Sequence, residues 1–288
     1  MDKIAVIGLG LVGSALSERF LQAGHAVVGF DIEPQRCQEL HQRGGIVAPS
    51  AADAARAASL CVLSLPTSQH VETVLAEIVP YLRGKTVADT TTGAPEFSRA
   101  TGEHLAADHV AYLDATIVGS SRHVQQGTAL TLVGGEASVF EASRTWLSCF
   151  STRSFYLGSW GSGASMKLVV NLVLGLNRAV LAEGLSFAER CALDPRVALE
   201  VLRAGIAYSR VMDTKGPKMI EREFSPEARL AQHHKDVRLI LEMAERYGCA
   251  VPLSRQHDQL LALAESRGFS DADNSAILAA YDEPPKRN

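Results

Sequence analysis

The chain begins with an apolar run followed at once by a glycine pattern, and this combination restricts the fold more than any other feature. Residues 4–7, Ile-Ala-Val-Ile, have the character of a buried strand, and Gly8-Leu9-Gly10-Leu11-Val12-Gly13 comes directly after them. The first glycine allows a tight turn, the second allows a pyrophosphate to approach the backbone, and the third allows a helix to pack closely on the strand. Amide groups at the start of that helix then hold the anion. The pattern therefore predicts a dinucleotide site at Gly8, Gly10, Leu11, Val12 and Gly13.

A carboxylate follows the next apolar run at the distance expected for such a site. Asp31 comes after residues 26–30, 18 positions beyond Gly13. A carboxylate there accepts hydrogen bonds from ribose hydroxyls and repels a 2′-phosphate, which favours NAD over NADP. Arg36 leaves NADP open, because it lies in the following turn and is either within reach of a 2′-phosphate or a solvated residue of the helix after Pro34.

The first half of the chain alternates short apolar strands with helical patterns, which is typical of βαβ units and a parallel sheet. The strands are predicted at residues 4–7, 26–30, 60–64, 86–89 and 111–114, with a further one at 129–133. From Ser165 onward only helical spacing is found. The sequence therefore predicts a doubly wound α/β domain over residues 1–163 and an all-helical domain over 164–288, which is expected to contribute to the substrate cleft and to oligomerisation. The tail 282–288 is predicted to be a frayed terminus.

Composition excludes several classes of function. Lys and Arg number 28 against 32 Asp and Glu, a net charge of −4, so no broad basic surface is expected for nucleic acid. The five cysteines include no C-x-x-C pair, which argues against a disulfide framework or zinc cage and favours the reducing cytoplasm. The first residues do not have the pattern of a signal peptide. The apolar stretch 168–181, interrupted by Asn171, Asn177 and Arg178, is predicted to be a buried helix that is too short and too polar to cross a membrane.

The glycine pattern at residues 8–13 and the segment 23–31 that ends at Asp31 resemble the β-hydroxyacid dehydrogenases. This is the family of 3-hydroxyisobutyrate dehydrogenase and tartronate semialdehyde reductase, whose helical domain is similar to that of 6-phosphogluconate dehydrogenase. The most specific block is Gly158-x-x-Gly161-x-Gly163-x-x-x-Lys167-x-x-x-Asn171. The resemblance implies that Lys167 is a general acid/base on the substrate oxygen and that Asn171 orients lysine and substrate. A spacing of four places both side chains on one face of a helix. The alternatives are a surface lysine for Lys167 and a buried amide joining two helices for Asn171.

The resemblance also implies further contacts. Leu65, Pro66 and Thr92 follow predicted strands and match family positions near the cofactor, although each is also an ordinary turn residue. Lys235 matches a lysine that approaches the cofactor from the helical domain, with a surface ion pair as the alternative. No metal is implied. His233 and His234 are adjacent and face different directions on a helix, which is a poor arrangement for metal binding.

The substrate loop departs from the family pattern. Val118 occupies the position of a serine that helps hold the substrate carboxylate. The segment after it, Gly119-Ser120-Ser121-Arg122, offers a flexible backbone, two hydroxyls and a guanidinium for an anionic head group. The chain also resembles the sulfolactaldehyde reductases, which change this loop to bind a sulfonate. Their arginine position corresponds to Gly119 here, so the resemblance does not support a sulfonate substrate.

The sequence therefore predicts an NAD(P)-dependent dehydrogenase that acts on a short 3-hydroxy acid or its semialdehyde and forms a homodimer or homotetramer. Two alternatives stay open. An imine reductase shares this architecture, usually without the lysine and with NADPH. A non-catalytic sensor would bind the dinucleotide without turnover.

Overall fold

The computed structural model describes residues 3–282, and all but Asp282 of the predicted frayed tail lies outside them. Eight strands form one sheet. They are β1 (Lys3–Ile7), β2 (Ala26–Phe30), β3 (Ile46–Val47), β4 (Leu60–Leu63), β5 (Thr86–Asp89), β6 (Ala111–Val118), β7 (Ala129–Gly135) and β8 (Ser151–Tyr156). The strand order is β3-β2-β1-β4-β5-β6-β7-β8.

The sheet is parallel from β3 to β6, as the alternation of strands and helices predicts. At β7 the direction reverses, because β6 and β7 pair antiparallel while β7 and β8 are parallel to each other. The expectation of a wholly parallel sheet was therefore wrong at this edge. Only residues 119–128 connect β6 to β7, and a connection of that length favours an antiparallel neighbour over a parallel crossover.

Helices cover both faces of the sheet. They are α1 (Leu11–Gln22), α2 (Pro34–Gln42), α3 (Ala51–Ala57), α4 (Ser68–Ile78), α5 (Pro95–Ala107), α6 (Ser121–Gln125) and α7 (Ala137–Leu147), with a 3₁₀ turn at Val79–Tyr81. Successive residues of β1 point to opposite faces. Ile4 and Val6 belong to one apolar cluster, and Ala5 and Ile7 belong to the other. Burial on both faces accounts for the continuous apolar runs in the sequence.

The second half of the described chain is helical. It consists of α8 (Ser162–Arg190), α9 (Pro195–Ala204), α10 (Val211–Glu221), α11 (Leu230–Arg246), α12 (Pro252–Ser266) and a 3₁₀ segment, Asn274–Tyr281. These elements share one core, to which Leu181, Leu185 and Leu261 contribute. The chain divides into two compact units, Met1–Lys167 and Leu168–Asn288, here called the sheet unit and the helical unit. The division falls inside α8, so no loop separates the units.

Helix α8 differs from the predicted buried helix. It is 29 residues long, and by length and composition alone it would be able to cross a membrane. The core helix of a soluble protein passes the same test, and just under half of its most apolar window is buried. The expectation that this stretch is too short and too polar was therefore wrong. One face is apolar yet open, because Val169, Val173, Val180 and Phe187 are 47% to 71% exposed.

Candidate functional site

The glycine turn connects β1 to α1 in a close-packed arrangement. Gly8 has a positive φ of 92°, and a Cβ there would lie 2.3 Å from the Ser64 carbonyl oxygen. A Cβ on Gly13 would lie 1.9 Å from the Gly8 carbonyl oxygen, so the helix can approach the strand only with glycine at this position. Gly10, in contrast, has open space where a side chain would be, and no side chain caps the helix that begins at Leu11. The turn therefore leaves free backbone amides and room for a phosphate.

Asp31 lies beside this turn. Its Oδ2 accepts a hydrogen bond from the Leu9 backbone amide at 2.6 Å, and its Oδ1 accepts one from the Glu33 amide at 2.9 Å. The Arg36 guanidinium lies 3.2 Å from Oδ2, with its side chain 45% exposed. The carboxylate is thus fixed by two backbone amides, whereas its charged partner is held only at the surface.

The other predicted cofactor residues of the sheet unit follow neighbouring strands at the same edge. Leu65 comes after β4, and its Cδ2 lies 3.0 Å from where a Cβ on Gly8 would be. The Leu65 amide donates to Thr91 Oγ1 at 3.1 Å, which joins the segments after β4 and β5. Pro66 and Thr92 belong to these two segments. The carboxyl ends of parallel strands are where open α/β sheets bind ligands.

Asp114 was not assigned a role from the sequence, but it fixes the start of α8. Its Oδ1 accepts a hydrogen bond from the Gly161 amide at 3.0 Å and its Oδ2 accepts one from the Ala164 amide at 2.8 Å. Burial raises the pKa of this carboxyl to about 6, and the two amides act in the opposite direction. A Cβ on Gly163 would lie 2.7 Å from the Asp114 carbonyl oxygen, so this glycine allows the helix to approach β6. The signal in the sequence was a lone aspartate within an apolar strand.

Lys167 is on the second turn of α8, and its side chain extends to the end of β6. Its Nζ donates to the Ile117 carbonyl oxygen at 2.6 Å, and the residue is half-buried. Since Ile117 precedes Val118, the ammonium lies next to the loop predicted to hold the substrate head group. Its role as a general acid/base stays a prediction.

Asn171 follows one turn later on α8, and its surroundings lie in the helical unit. The residue is 5% exposed, and its Nδ2 donates to Asp236 Oδ2 at 2.8 Å. The other oxygen of Asp236 lies 3.0 Å from the Nζ of Lys235. The Asn171 amide therefore joins α8 to α11, which was the second of the two interpretations of this residue. The same contact fixes the orientation of the amide. Lys235 forms the ion pair given as its alternative, and the structure shows no contact that tests its predicted role at the cofactor.

The substrate loop contains an interaction that the sequence did not predict. Ser120 Oγ lies 3.0 Å from Nδ1 of His123, and the Ser120 amide donates to the same nitrogen at 3.2 Å. Gly119 has a φ of 134°, and a Cβ there would lie 2.9 Å from the His123 Cβ. Ser121 and Arg122 follow on α6, with Arg122 exposed. Local spacing of three residues at a helix start was the available signal for His123.

Comparisons with known proteins match both halves of the chain to family models. Residues 3–158 match the family model for the NAD-binding domain of 6-phosphogluconate dehydrogenase. Residues 161–281 match the model described as NAD-binding of NADP-dependent 3-hydroxyisobutyrate dehydrogenase.

Individual relatives span the whole chain. The chain is 29% identical over 288 residues to 2-hydroxy-3-oxopropionate reductase of Escherichia coli, covering 97% of each protein. It is 28% identical over 281 residues to glyoxylate/succinic semialdehyde reductase 2 of Arabidopsis thaliana, covering 96% of this chain and 78% of that protein. The solved structure of 3-hydroxyisobutyrate dehydrogenase from Salmonella typhimurium has the same fold, with a TM-score of 0.90 at 22% identity over 97% of this chain and 99% of that one.

The two family models and the relative from Escherichia coli identify the chain as an NAD(P)-dependent oxidoreductase. The chain belongs to the β-hydroxyacid dehydrogenase family.

Proposed function

We propose that the enzyme transfers a hydride between a nicotinamide cofactor and a short 3-hydroxy acid or the matching semialdehyde, with Lys167 as general acid/base. The observation that carries this proposal is the position of the Lys167 ammonium, 2.6 Å from the Ile117 carbonyl oxygen beside the substrate loop. When bound, the nicotinamide ring accepts or supplies the hydride.

The lysine has a defined task in this reaction. Oxidation of an alcohol removes a hydride from carbon, so the hydroxyl proton must leave at the same time. The amine of Lys167 takes that proton, and in the reductive direction the ammonium returns it to the carbonyl oxygen. Asn171, held by Asp236, is proposed to orient the lysine and the substrate from the adjacent turn. The cap that Asp114 places on α8 keeps the helix that carries both residues in position.

The glycine turn fits the dinucleotide. The open space at Gly10 and the uncapped start of α1 leave room and N–H donors for a pyrophosphate. We propose that Leu11, Val12, Leu65, Pro66, Thr92 and Lys235 make further contacts with the cofactor.

For the cofactor preference we propose NAD, because the fixed Asp31 carboxylate suits ribose hydroxyls and repels a 2′-phosphate. Arg36 keeps NADP possible. Comparing kcat/KM with NADH and NADPH tests this. Asp31→Ser is expected to reduce a preference for NADH about tenfold or more. Arg36→Ala should weaken only the use of NADPH if the guanidinium reaches the phosphate.

The substrate class follows from the loop after β6. We propose that Gly119, Ser120, Ser121 and Arg122 receive the anionic head group of the substrate, since Val118 has no hydroxyl to offer. Nδ1 of His123 accepts the Ser120 amide proton, so this nitrogen carries no proton of its own. The Ser120 hydroxyl, 3.0 Å away, therefore donates to the same nitrogen. Ser121 is accordingly the stronger candidate, and substrate KM should rise more for Ser121→Ala than for Ser120→Ala. Unchanged KM in both variants would contradict the proposed head-group site.

The deciding experiment measures the absorbance of reduced nicotinamide across a panel of 3-hydroxy acids, semialdehydes and one cyclic imine. Lys167→Ala is expected to lower kcat by about 10²- to 10⁴-fold. Lys167→Arg is the matched variant, because it keeps the positive charge but cannot release a proton, and it should be nearly as inactive. Turnover of the imine alone would support an imine reductase. Cofactor binding without any turnover would support a sensor.

We further propose a homodimer or homotetramer that pairs through the exposed apolar face of α8. Val169, Val173, Val180 and Phe187 recur at spacings of four and seven, which places them along one stripe of the helix. Light scattering after size exclusion measures the state, and Val180→Glu with Phe187→Glu should shift it towards monomer. A cytoplasmic location is also proposed, and cell fractionation tests it.

A further inference from the structure

A positive charge lies in the interior of the helical unit without a hydrogen-bonded carboxylate among the described residues. Arg178, on α8, is 3% exposed, and its Nε and Nη1 have no hydrogen-bond partner among residues 3–282. Burial lowers the pKa of its guanidinium to about 10, so the group stays charged at neutral pH. A buried ion without a partner is costly, which means that something must neutralise or solvate it.

The carboxylate whose charge acts on Arg178 is already engaged elsewhere. Asp273 is fully buried, and both of its oxygens lie 2.9 Å from the Nζ of Lys215. It also accepts from the Ser275 hydroxyl at 2.7 Å and the Glu227 amide at 3.0 Å. Arg178 interacts with this carboxylate through its charge, and no hydrogen bond between the two is found in the described part of the chain. Asp273 is therefore already paired with the largely buried Lys215, which also lies 3.4 Å from Glu227 Oε2.

The side chains beside Arg178 are histidines. A Cβ on Gly175, one turn earlier on the helix, would lie 2.5 Å from His233 Nε2 and 2.6 Å from His257 Cε1. The two rings are 5.2 Å apart. His257 is 2% exposed, and its Nε2 has no hydrogen-bond partner in the part of the chain described here. Burial, together with the charge of Arg178, lowers the pKa of His257 to about 4, so the ring is neutral at pH 7 and can donate one N–H.

We propose that Arg178, with His257 beside it, binds a small monovalent anion such as chloride inside the helical unit. The guanidinium supplies the charge and several N–H donors, and a neutral imidazole supplies one more. The imidazoles fill the space opposite Gly175, so only an anion of one or a few atoms suits the site. This anion would be structural, and its binding does not depend on the proposed reaction.

Bromide is the probe for this site, because it replaces chloride and is located by anomalous scattering. Crystals of the whole protein soaked in sodium bromide should show an anomalous peak within hydrogen-bond distance of the Arg178 guanidinium. In solution, bromide or chloride at fixed ionic strength, balanced with sodium methanesulfonate, should raise Tm by about 2 to 4 °C.

Arg178→Met removes the charge while keeping an apolar side chain of similar length, and it should abolish the dependence of Tm on bromide. Arg255→Met on α12 is the matched control, because Arg255 is exposed, and it should behave like the unmodified protein. A map with no peak at Arg178 would overturn the proposal and assign the guanidinium to water. An equal rise of Tm in Arg178→Met would overturn it as well, and the bromide map decides the matter even if that variant does not fold.

Discussion

Buried carboxylates of the two units are stabilised in different ways. In the sheet unit, the carboxylates of Asp89 and Asp114 lie opposite each other on β5 and β6 and are bound by N–H and O–H donors. In the helical unit, the buried carboxylate of Asp273 forms an ion pair with Lys215 at 2.9 Å in addition to its N–H and O–H donors. A carboxylate bound by dipoles tolerates loss of its charge if an acceptor remains, whereas a buried ion pair that loses one member leaves the other uncompensated. The comparison therefore predicts different responses to the same kind of substitution.

The largest effect is expected at Asp273. Asp273→Ala should lower the free energy of unfolding by about 3–5 kcal/mol, because the largely buried Lys215 keeps only Glu227 at 3.4 Å and Arg178 loses the carboxylate whose charge acts on it. Denaturant unfolding measures the loss. Asp271→Ala is the control, since Asp271 is 87% exposed and pairs with Arg229 at 3.4 Å at the surface, where an ion pair contributes about 0–1 kcal/mol. Equal losses in the two variants would contradict the assigned role of the buried pair.

A smaller loss is expected at Asp114. Asp114→Asn replaces one of the two acceptor oxygens with an NH2 group that cannot accept from the amides at the start of α8, so the free energy of unfolding should fall by about 1–3 kcal/mol. Because the same amides position the helix that carries Lys167, kcat should fall about tenfold to a hundredfold with the cofactor KM little changed. Stability and steady-state kinetics measured together test this. A variant with normal kcat would show that the cap serves stability alone.

Two glycines of α8 give a comparison within one helix. Gly175→Ala should cost about 1–3 kcal/mol, because the new Cβ would overlap the imidazoles of His233 and His257. Gly184→Ala should instead stabilise by about 0.5–1 kcal/mol, since a Cβ at that position meets no atom within 4 Å and alanine favours a helix. Thermal unfolding of both variants measures the difference. The same sign for both would mean that the histidines move aside easily.

Acidification should affect the two units in opposite directions. Burial raises the pKa of both Asp89 and Asp114 to about 6, above the ordinary 3.8, so these groups stabilise the folded sheet unit once protonated, and that contribution is lost as pH rises through 6. The pKa of His257 is lowered from 6.5 to about 4, so its contribution is present above pH 6.5 and is lost as pH falls towards 4. Between pH 7 and 5 each group should change the stability of its unit by roughly 1–2 kcal/mol.

Hydrogen exchange, corrected for the intrinsic effect of pH, resolves the two units. Protection of the sheet unit should rise at pH 5 while that of the helical unit falls. Asp89→Asn should remove part of the rise, and His257→Leu should remove part of the fall. Parallel changes in both units would show that they unfold together.

Much of the fold was predictable from local pattern. Continuous apolar runs between helical segments gave the strands β1, β2, β4 and β5, because a strand buried on both faces must be apolar throughout. β8 was missed because Ser151–Tyr156 is largely polar and lies at the sheet edge. β3 was missed because it has two residues.

In the candidate site, too, local pattern predicts some features and not others. Lys167 and Asn171 follow from helical spacing, and their proposed roles follow from the family resemblance. The contacts that hold them do not, since Asp114 meets Gly161 and Asn171 meets Asp236 across 47 and 65 residues of chain. No local pattern encodes such distances. The contact of Ser120 with His123 is local in sequence, but predicting it requires knowing that α6 begins at Ser121.

The passage from one unit to the other inside α8 has a consequence for how such a gene can change. A loop tolerates an inserted or deleted residue. In a helix of 3.6 residues per turn, one inserted or deleted residue rotates all following residues of the helix by about 100° and shifts them by about 1.5 Å. Between Lys167 and Asn171 that rotation would separate the two side chains onto different faces. Sequence drift at this joint is therefore confined to replacement, and chimaeras that exchange whole halves must preserve the residue count of the helix.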